Sequence, residues 1–241
     1  MGEMSEYKIK VKICSEAIFN SGERERNLVQ TKVLSDPYGF VYFHAKTLKG
    51  QLKRQAFWLL KQYAKIDYIK GTNHAASFIK SYEKLFGEPN EDEKEIIKKY
   101  VKEYESKWKS PGLMRLSNLE LDIAIRNYFI NLQNEDKEND YYRISPHDLI
   151  EAQTNIRTNI QLDDGIVKDK MFHSFHTVKD GLTFYSTISF EEDVSETNEP
   201  DLLKDLSRII RSFRRIGAGI HRGRGEIEAH LLFEDTDICC R

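Results

Sequence analysis

The residue types best suited to chemistry are concentrated in residues 216–225, which read Ile-Gly-Ala-Gly-Ile-His-Arg-Gly-Arg-Gly. Glycine permits positive φ angles and close backbone approach, and the N–H groups of such a loop can bind an anion. Residues 204–224 also hold seven Lys or Arg against one acid, Asp205, which suits a phosphate backbone. The alternative is a helix C-cap at Gly217, with arginines that only solvate an exposed face. The candidate binding residues here are Gly217, Gly219, His221, Arg222, Gly223, Arg224 and Gly225.

A second basic segment covers residues 44–54, which read His-Ala-Lys-Thr-Leu-Lys-Gly-Gln-Leu-Lys-Arg. It lies where a short strand meets a predicted helix, and the first turn of a helix offers unpaired N–H groups to a phosphate. The alternative is an ordinary amphipathic helix with a lysine-rich solvent face. The candidate binding residues of this segment are Lys46, Lys49, Gly50, Lys53 and Arg54.

Other chemistries find little support. The glycine-rich segment lacks Gly-Lys-Ser/Thr, and it follows a predicted helix rather than a strand, so it is neither a Walker A loop nor a dinucleotide fingerprint. No nucleophile elbow occurs. His173 and His176 lie three apart without a Cys or carboxylate cluster beside them, and the three cysteines lack zinc spacing. We therefore expect no metal and no cofactor.

The elements that position these residues follow from hydrophobic periodicity. Residues 7–13 alternate apolar and lysine side chains, which predicts a strand with one buried face. Apolar spacing predicts helices over 47–65, with Thr47 as N-cap, and over 74–85, 91–109 and the stretch that starts near Pro200. Residues 113–121 and 226–231 read as strands. Strands over 171–178 and 182–190 flank an Asp-Gly pair, which predicts a hairpin.

Composition limits the class of protein. The chain has 241 residues, 11% aromatic content and a formal net charge of −2, so it is neither disordered nor basic overall. It contains no long apolar run and no secretory signal, so we expect a cytoplasmic protein without membrane contact. The basic residues gather in the two segments above, while the acids gather in 88–105 and 191–201. A formal net charge near zero can therefore conceal a basic groove.

Several motifs together resemble the RAMP superfamily of CRISPR-associated proteins, especially the backbone (Cas-seven-like) subunits of type III effector complexes. The segment 46–53 is similar to the family's Leu-Lys-Gly motif, although His44-Ala45 replaces Pro-Gly and Lys53 replaces the usual Arg. The other matching landmarks, in the family's order, are Leu85-Phe86-Gly87, the strand 113–119, Arg157-Thr158-Asn159-Ile160, Met171-Phe172 and the glycine-rich loop 217–225.

The resemblance implies an α+β fold: a modified RNA-recognition-motif (ferredoxin-like) domain with an antiparallel sheet, spanning residues 1–241, with a helical insertion over 68–110. It implies an RNA-binding subunit that holds CRISPR RNA, helps target-RNA recognition in antiviral defence and contacts other CRISPR effector subunits. Basic grooves and stacking aromatics hold single-stranded RNA. Phe172 and Phe175 are candidate stackers, with core packing as the alternative.

Catalysis stays open. In subunits that cut target RNA, a catalytic Asp precedes the Pro-x-x-Gly-like turn, and that position falls at about Gln30 here, where an amide cannot act as the base. Asp36 is the nearest acid and a candidate for target-RNA cleavage. A second alternative is a metal-independent CRISPR RNA-processing endoribonuclease that uses His44 as a general base. A third is a scaffold protein that binds no nucleic acid.

Overall fold

The computed structural model describes residues 7–24, 31–101, 104–105, 111–135, 144–163, 166–191 and 200–238. Six strands form an antiparallel sheet, and β1 (Tyr7–Ile13) and β8 (Thr183–Phe190) lie side by side at its centre. The alternation predicted for β1 is confirmed, because Ile9, Val11 and Ile13 are buried. The strands of this sheet are β1 (Tyr7–Ile13), β4 (Met114–Leu116), β5 (Glu120–Leu121), β8 (Thr183–Phe190), β9 (Ile227–Phe233) and β10 (Thr236–Asp237).

A second sheet contains four strands, which are β2 (Asn20–Arg24), β3 (Thr31–Val33), β6 (Thr154–Asp163) and β7 (Ile166–Val178). Their order in the sheet is β2-β3-β7-β6, and only the β3–β7 pair is parallel. The long β6–β7 ribbon was not predicted, and neither was a strand within residues 20–31, which read as a loop.

The hairpin predicted around Asp180-Gly181 is wrong. β7 pairs with β6 in the second sheet, whereas β8 pairs with β1 in the first. The backbone of the turn bonds to β1 instead: Gly181 N donates to Ile13 O at 2.8 Å, and Ile13 N donates to Leu182 O at 2.9 Å. The Asp-Gly turn therefore carries the chain from one sheet to the other.

The first, second and last helices pack against one face of the six-stranded sheet. Leu48, Leu52, Ala56 and Leu60 of the first helix, and Leu206 of the last, join the strands in one hydrophobic core. The helices are α1 (Ala45–Lys70), α2 (His74–Phe86), α3 (Glu91–Tyr100), α4 (Ile123–Glu135), α5 (Pro146–Gln153) and α6 (Pro200–Ser212). The helices α4 and α5 were not predicted, although Ser145, Pro146 and Asp148 form a capping box with Pro at its start.

Three predicted helix ends are wrong. α1 begins before Thr47, because the ring nitrogen Nδ1 of His44 accepts from Lys46 N at 3.1 Å and makes His44 the N-cap. α6 ends at Ser212, five residues before the C-cap predicted at Gly217. The third helix ends at Tyr100 rather than Lys109, although 102–103 and 106–110 lie outside the described residues.

The range 68–110, predicted to be an insertion, contains α2 and α3. Both helices contact α1, and side chains such as Tyr82 and Ile97 belong to the same hydrophobic core as the sheet. No helix among the described residues combines the length and apolar content that a bilayer span requires.

Candidate nucleic-acid interface

The glycine-rich loop is a closed turn between α6 and β9. Its base is held by the hydrogen bond from Ile216 N to Gly225 O, at 2.8 Å. Gly217 and Gly225 have φ angles of 86° and 71°, and a Cβ on either would lie 2.5 Å from Ile18 O or 2.0 Å from Ile216 O. Only glycine fits both positions, so these two residues shape the loop.

The two basic segments meet at Gln51 of α1. Its Oε1 accepts from Gly217 N at 3.2 Å, and its Nε2 donates to Gly217 O at 3.1 Å. Gln55, one turn later, donates to the Ser212 hydroxyl at the end of α6 at 3.1 Å. The N-terminal turns of α1 and the glycine-rich loop therefore form one continuous surface.

The basic side chains of this surface fall into two groups. Lys46, Arg54 and Arg222 are exposed, and none of the three makes an ion pair within the described part of the chain. Lys49 instead donates to Met114 O at 2.6 Å, and its burial, reinforced by nearby Arg115, lowers its pKa. Lys53 lies 3.5 Å from the Glu93 carboxylate. Two of the predicted phosphate ligands thus already have partners inside the protein.

Gly50 lies on the exposed side of α1. A Cβ built there meets no atom within 4 Å, and its backbone is helical. A glycine within a helix costs about 1 kcal/mol relative to alanine. Packing within the described residues offers no reason for this glycine, which fits close approach of a ligand backbone instead.

The structure separates the two predicted stacking residues. Phe175 is buried, with 3% of its surface exposed, and the guanidinium of Arg224 lies 5.1 Å from its ring centroid. The prediction that Phe175 stacks on a base is therefore wrong, because its ring is buried beneath Arg224. The side chain of Phe172 lies outside the described residues, as does Gln30.

The two candidate catalytic groups are both engaged. His44 accepts a backbone N–H on Nδ1, so the neutral ring carries its proton on Nε2 and the outer nitrogen is a donor rather than a base. Asp36 accepts from the backbone N–H groups of Tyr38 and Phe40 at 3.0 and 2.9 Å, and Arg126 binds its other oxygen at 2.8 Å. Asp36 thus caps the turn.

Sequence reasoning missed an aromatic residue on this surface. Trp58 is 49% exposed and lies one helical turn after Arg54 and two turns after Gly50, on the same side of α1. The four-residue spacing of Gly50, Arg54 and Trp58 was the signal in the sequence that could have placed Trp58 on this surface. Neighbouring Phe57 instead is partly buried and packs against the core.

The antiparallel sheet with helices on one face defines an α+β, ferredoxin-like fold of the RNA-recognition-motif type. The family model described as the RAMP superfamily matches residues 10–228. The chain therefore belongs to the RAMP superfamily, as its motifs predicted.

Two solved structures support this fold. A chain in the cryo-EM structure of the type III-B Cmr-β complex bound to cognate target RNA is 14% identical, with a TM-score of 0.59. A chain in the apo state of Cmr-β is 12% identical, with a TM-score of 0.56. Each match covers 95% of this chain and 97% of the other. A comparison with curated protein sequences gave no significant match.

Proposed function

We propose that this protein is an RNA-binding subunit of a type III CRISPR ribonucleoprotein effector, in which it holds CRISPR RNA and helps to recognise target RNA. The observation that carries the proposal is the pair of hydrogen bonds between Gln51 and Gly217, which joins the two basic segments in one surface. The similarity in fold to chains of Cmr-β complexes adds support.

The binding roles differ among the residues. The exposed cations Lys46, Arg54 and Arg222 contact phosphates directly. Lys49 and Lys53 hold α1 against β4 and α3 and add positive potential nearby. Gly50 lets the RNA backbone approach α1, and Trp58 stacks on a base.

Binding rather than cleavage is the proposed role. The backbone hydrogen bond that His44 Nδ1 accepts and the three hydrogen bonds of Asp36 leave neither group suited to act as a base in this geometry. The range 1–241 then acts as one RNA-binding domain, and residues 68–110 supply contacts to neighbouring effector subunits.

The test is RNA binding by the double variant Arg222→Ala, Arg224→Ala, measured by filter binding with a labelled oligouridylate. Affinity should fall, and the magnitude of the slope of log affinity against log salt should decrease by about 0.7 for each phosphate that the variant no longer neutralises. Circular dichroism should show a retained fold, because Arg222 is exposed and backbone hydrogen bonds, rather than Arg224, close the loop.

The matched control removes two exposed cations from α3, in the variant Lys98→Ala, Lys99→Ala. This control removes the same amount of positive charge at a site distant from the loop, so the affinity of the control variant for RNA should fall much less. An equal fall in the two variants would mean that only net charge matters, and undiminished affinity of the loop variant would refute the proposed site.

A further inference from the structure

The segment between β1 and β2 links the glycine-rich loop to the second sheet. Glu16 O accepts from Gly225 N at 2.9 Å, and Ile18 O accepts from Ala218 N at 3.0 Å. Between them, Ala17 exchanges two hydrogen bonds with Val178, at 3.1 and 2.7 Å, where β7 ends. Glu16 therefore lies at the junction of the loop and both sheets.

The Glu16 carboxylate accepts hydrogen bonds from side chains on both sides of this junction. Arg157 of β6 donates to it through Nη2 at 2.5 Å and through Nε at 3.0 and 3.1 Å. Asn155 of the same strand donates at 3.0 Å, and Arg224 of the loop donates through Nη1 at 3.4 Å. One acid thus holds two arginines from elements distant in sequence.

The acid stays charged at any ordinary working pH. The hydrogen bonds from Arg157 outweigh the opposing effect of burial, and the pKa of Glu16 falls from 4.5 to about 2. The cluster of Glu16, Arg157 and Arg224 therefore carries a net charge of +1, with its negative charge turned inward, since the Glu16 side chain is only 20% exposed.

The two arginines keep surface for a ligand. The side chain of Arg157 is 52% exposed, and that of Arg224 is 25% exposed and rests on Phe175. No hydrogen bond from Arg157 Nη1 is seen among the described residues. A fixed guanidinium binds a phosphate at a smaller loss of side-chain entropy than a free one.

We infer that Arg157 and Arg224 form a phosphodiester subsite at the junction of the two sheets, and that Glu16 is the positioning residue of this subsite. The inference rests on the proposed RNA-binding function. It extends the interface from α1 and the glycine-rich loop onto β6, along the start of the β6–β7 ribbon.

The direction in which one substitution changes RNA affinity tests the inference. Removal of an acid next to RNA normally raises affinity, because it removes repulsion from phosphates. If Glu16 positions the arginines, Glu16→Gln should instead lower affinity for a labelled oligouridylate by about threefold or more. Glu226→Gln is the matched control, since Glu226 is an exposed acid at the end of the same loop, and its affinity should be unchanged or raised.

A double-variant comparison separates positioning from a general loss of structure. In a chain that carries Arg157→Ala and Arg224→Ala, the change Glu16→Gln should cause no further fall in affinity. A full further fall there, or equal or tighter binding by Glu16→Gln alone, would overturn the inference.

If Glu16→Gln does not fold, the single variant Arg157→Ala still tests the inference. The Arg157 side chain is half exposed on the surface of β6, so its removal should leave the fold intact. This variant should lower affinity for the oligouridylate and reduce the magnitude of the salt slope by about 0.7. Undiminished binding by Arg157→Ala would refute the subsite while the unmodified chain still bound RNA. Failure of the unmodified chain to bind would instead refute the proposed function itself.

Discussion

Gly50 is a glycine that the fold itself does not require. Its backbone is helical, its surroundings are open, and neither strain nor close packing within the described residues requires glycine. Gly217 is the opposite case, because its positive φ and the nearby Ile18 oxygen require glycine for the fold itself.

We expect Gly50→Ala to raise the free energy of unfolding by up to about 1 kcal/mol, because alanine is the better helix former. On the proposed function, the same variant should bind RNA more weakly, because the added methyl group would obstruct the approach of the RNA backbone to α1. Urea unfolding and filter binding measure the two effects.

The reference variant is Gly217→Ala, which should lose about 1–3 kcal/mol of stability through backbone strain. A Gly50→Ala chain that is more stable and binds RNA as tightly as the unmodified chain would show that Gly50 lies outside the interface.

At the scale of the elements, α6 combines two surfaces with different tasks. Its inner face is apolar, as its periodicity predicted, and its outer face carries Lys204, Arg208 and Arg211. One buried acid lies between the two: Asp205 is 4% exposed, accepts from the Ser81 hydroxyl of α2 at 2.7 Å and pairs with Arg208 at 2.9 Å.

Asp205→Ala should lower the free energy of unfolding by about 1–3 kcal/mol, because the buried Ser81 hydroxyl loses its acceptor. The measurement is urea unfolding. Asp201→Ala, an exposed acid on the same helix, should change stability by at most about 1 kcal/mol. A destabilisation by Asp205→Ala no larger than that by Asp201→Ala would show that the packing of α2 on α6 does not depend on this acid.

Over the whole molecule, the formal net charge of −2 conceals a separation of charge. The exposed acids Glu91, Asp92 and Glu95 lie on α3, whereas the cations of α6 and the glycine-rich loop lie together along another part of the chain. A ligand responds to the local surface, so RNA affinity should be governed by the cations near it rather than by the total charge.

RNA affinity should therefore depend steeply on salt. Three or four phosphate contacts predict a slope of log affinity against log salt of about −2 to −3 for single-stranded RNA, since each contact contributes about −0.7. A titration of filter binding against potassium chloride measures the slope. Binding that is absent or independent of salt would favour a scaffold protein whose arginines only solvate its surface.

The sequence by itself determined the features that depend on near neighbours. Period-two alternation identified β1, three-to-four spacing identified the buried face of α6, and the order of short motifs identified the RAMP superfamily. These features follow from which face of an element is apolar, and neighbouring residues record that directly.

Only the tertiary structure decided which distant residues meet. Asp180-Gly181 marks a turn correctly, yet β7 and β8 join different sheets, because strand partners are set by long-range pairing and burial. The contacts of Gln51 with Gly217 and of Glu16 with Arg157 span 166 and 141 residues, and no local pattern in the chain predicts either. The basic segments were visible in the sequence, but the side chains that join and orient them were found only in the folded chain.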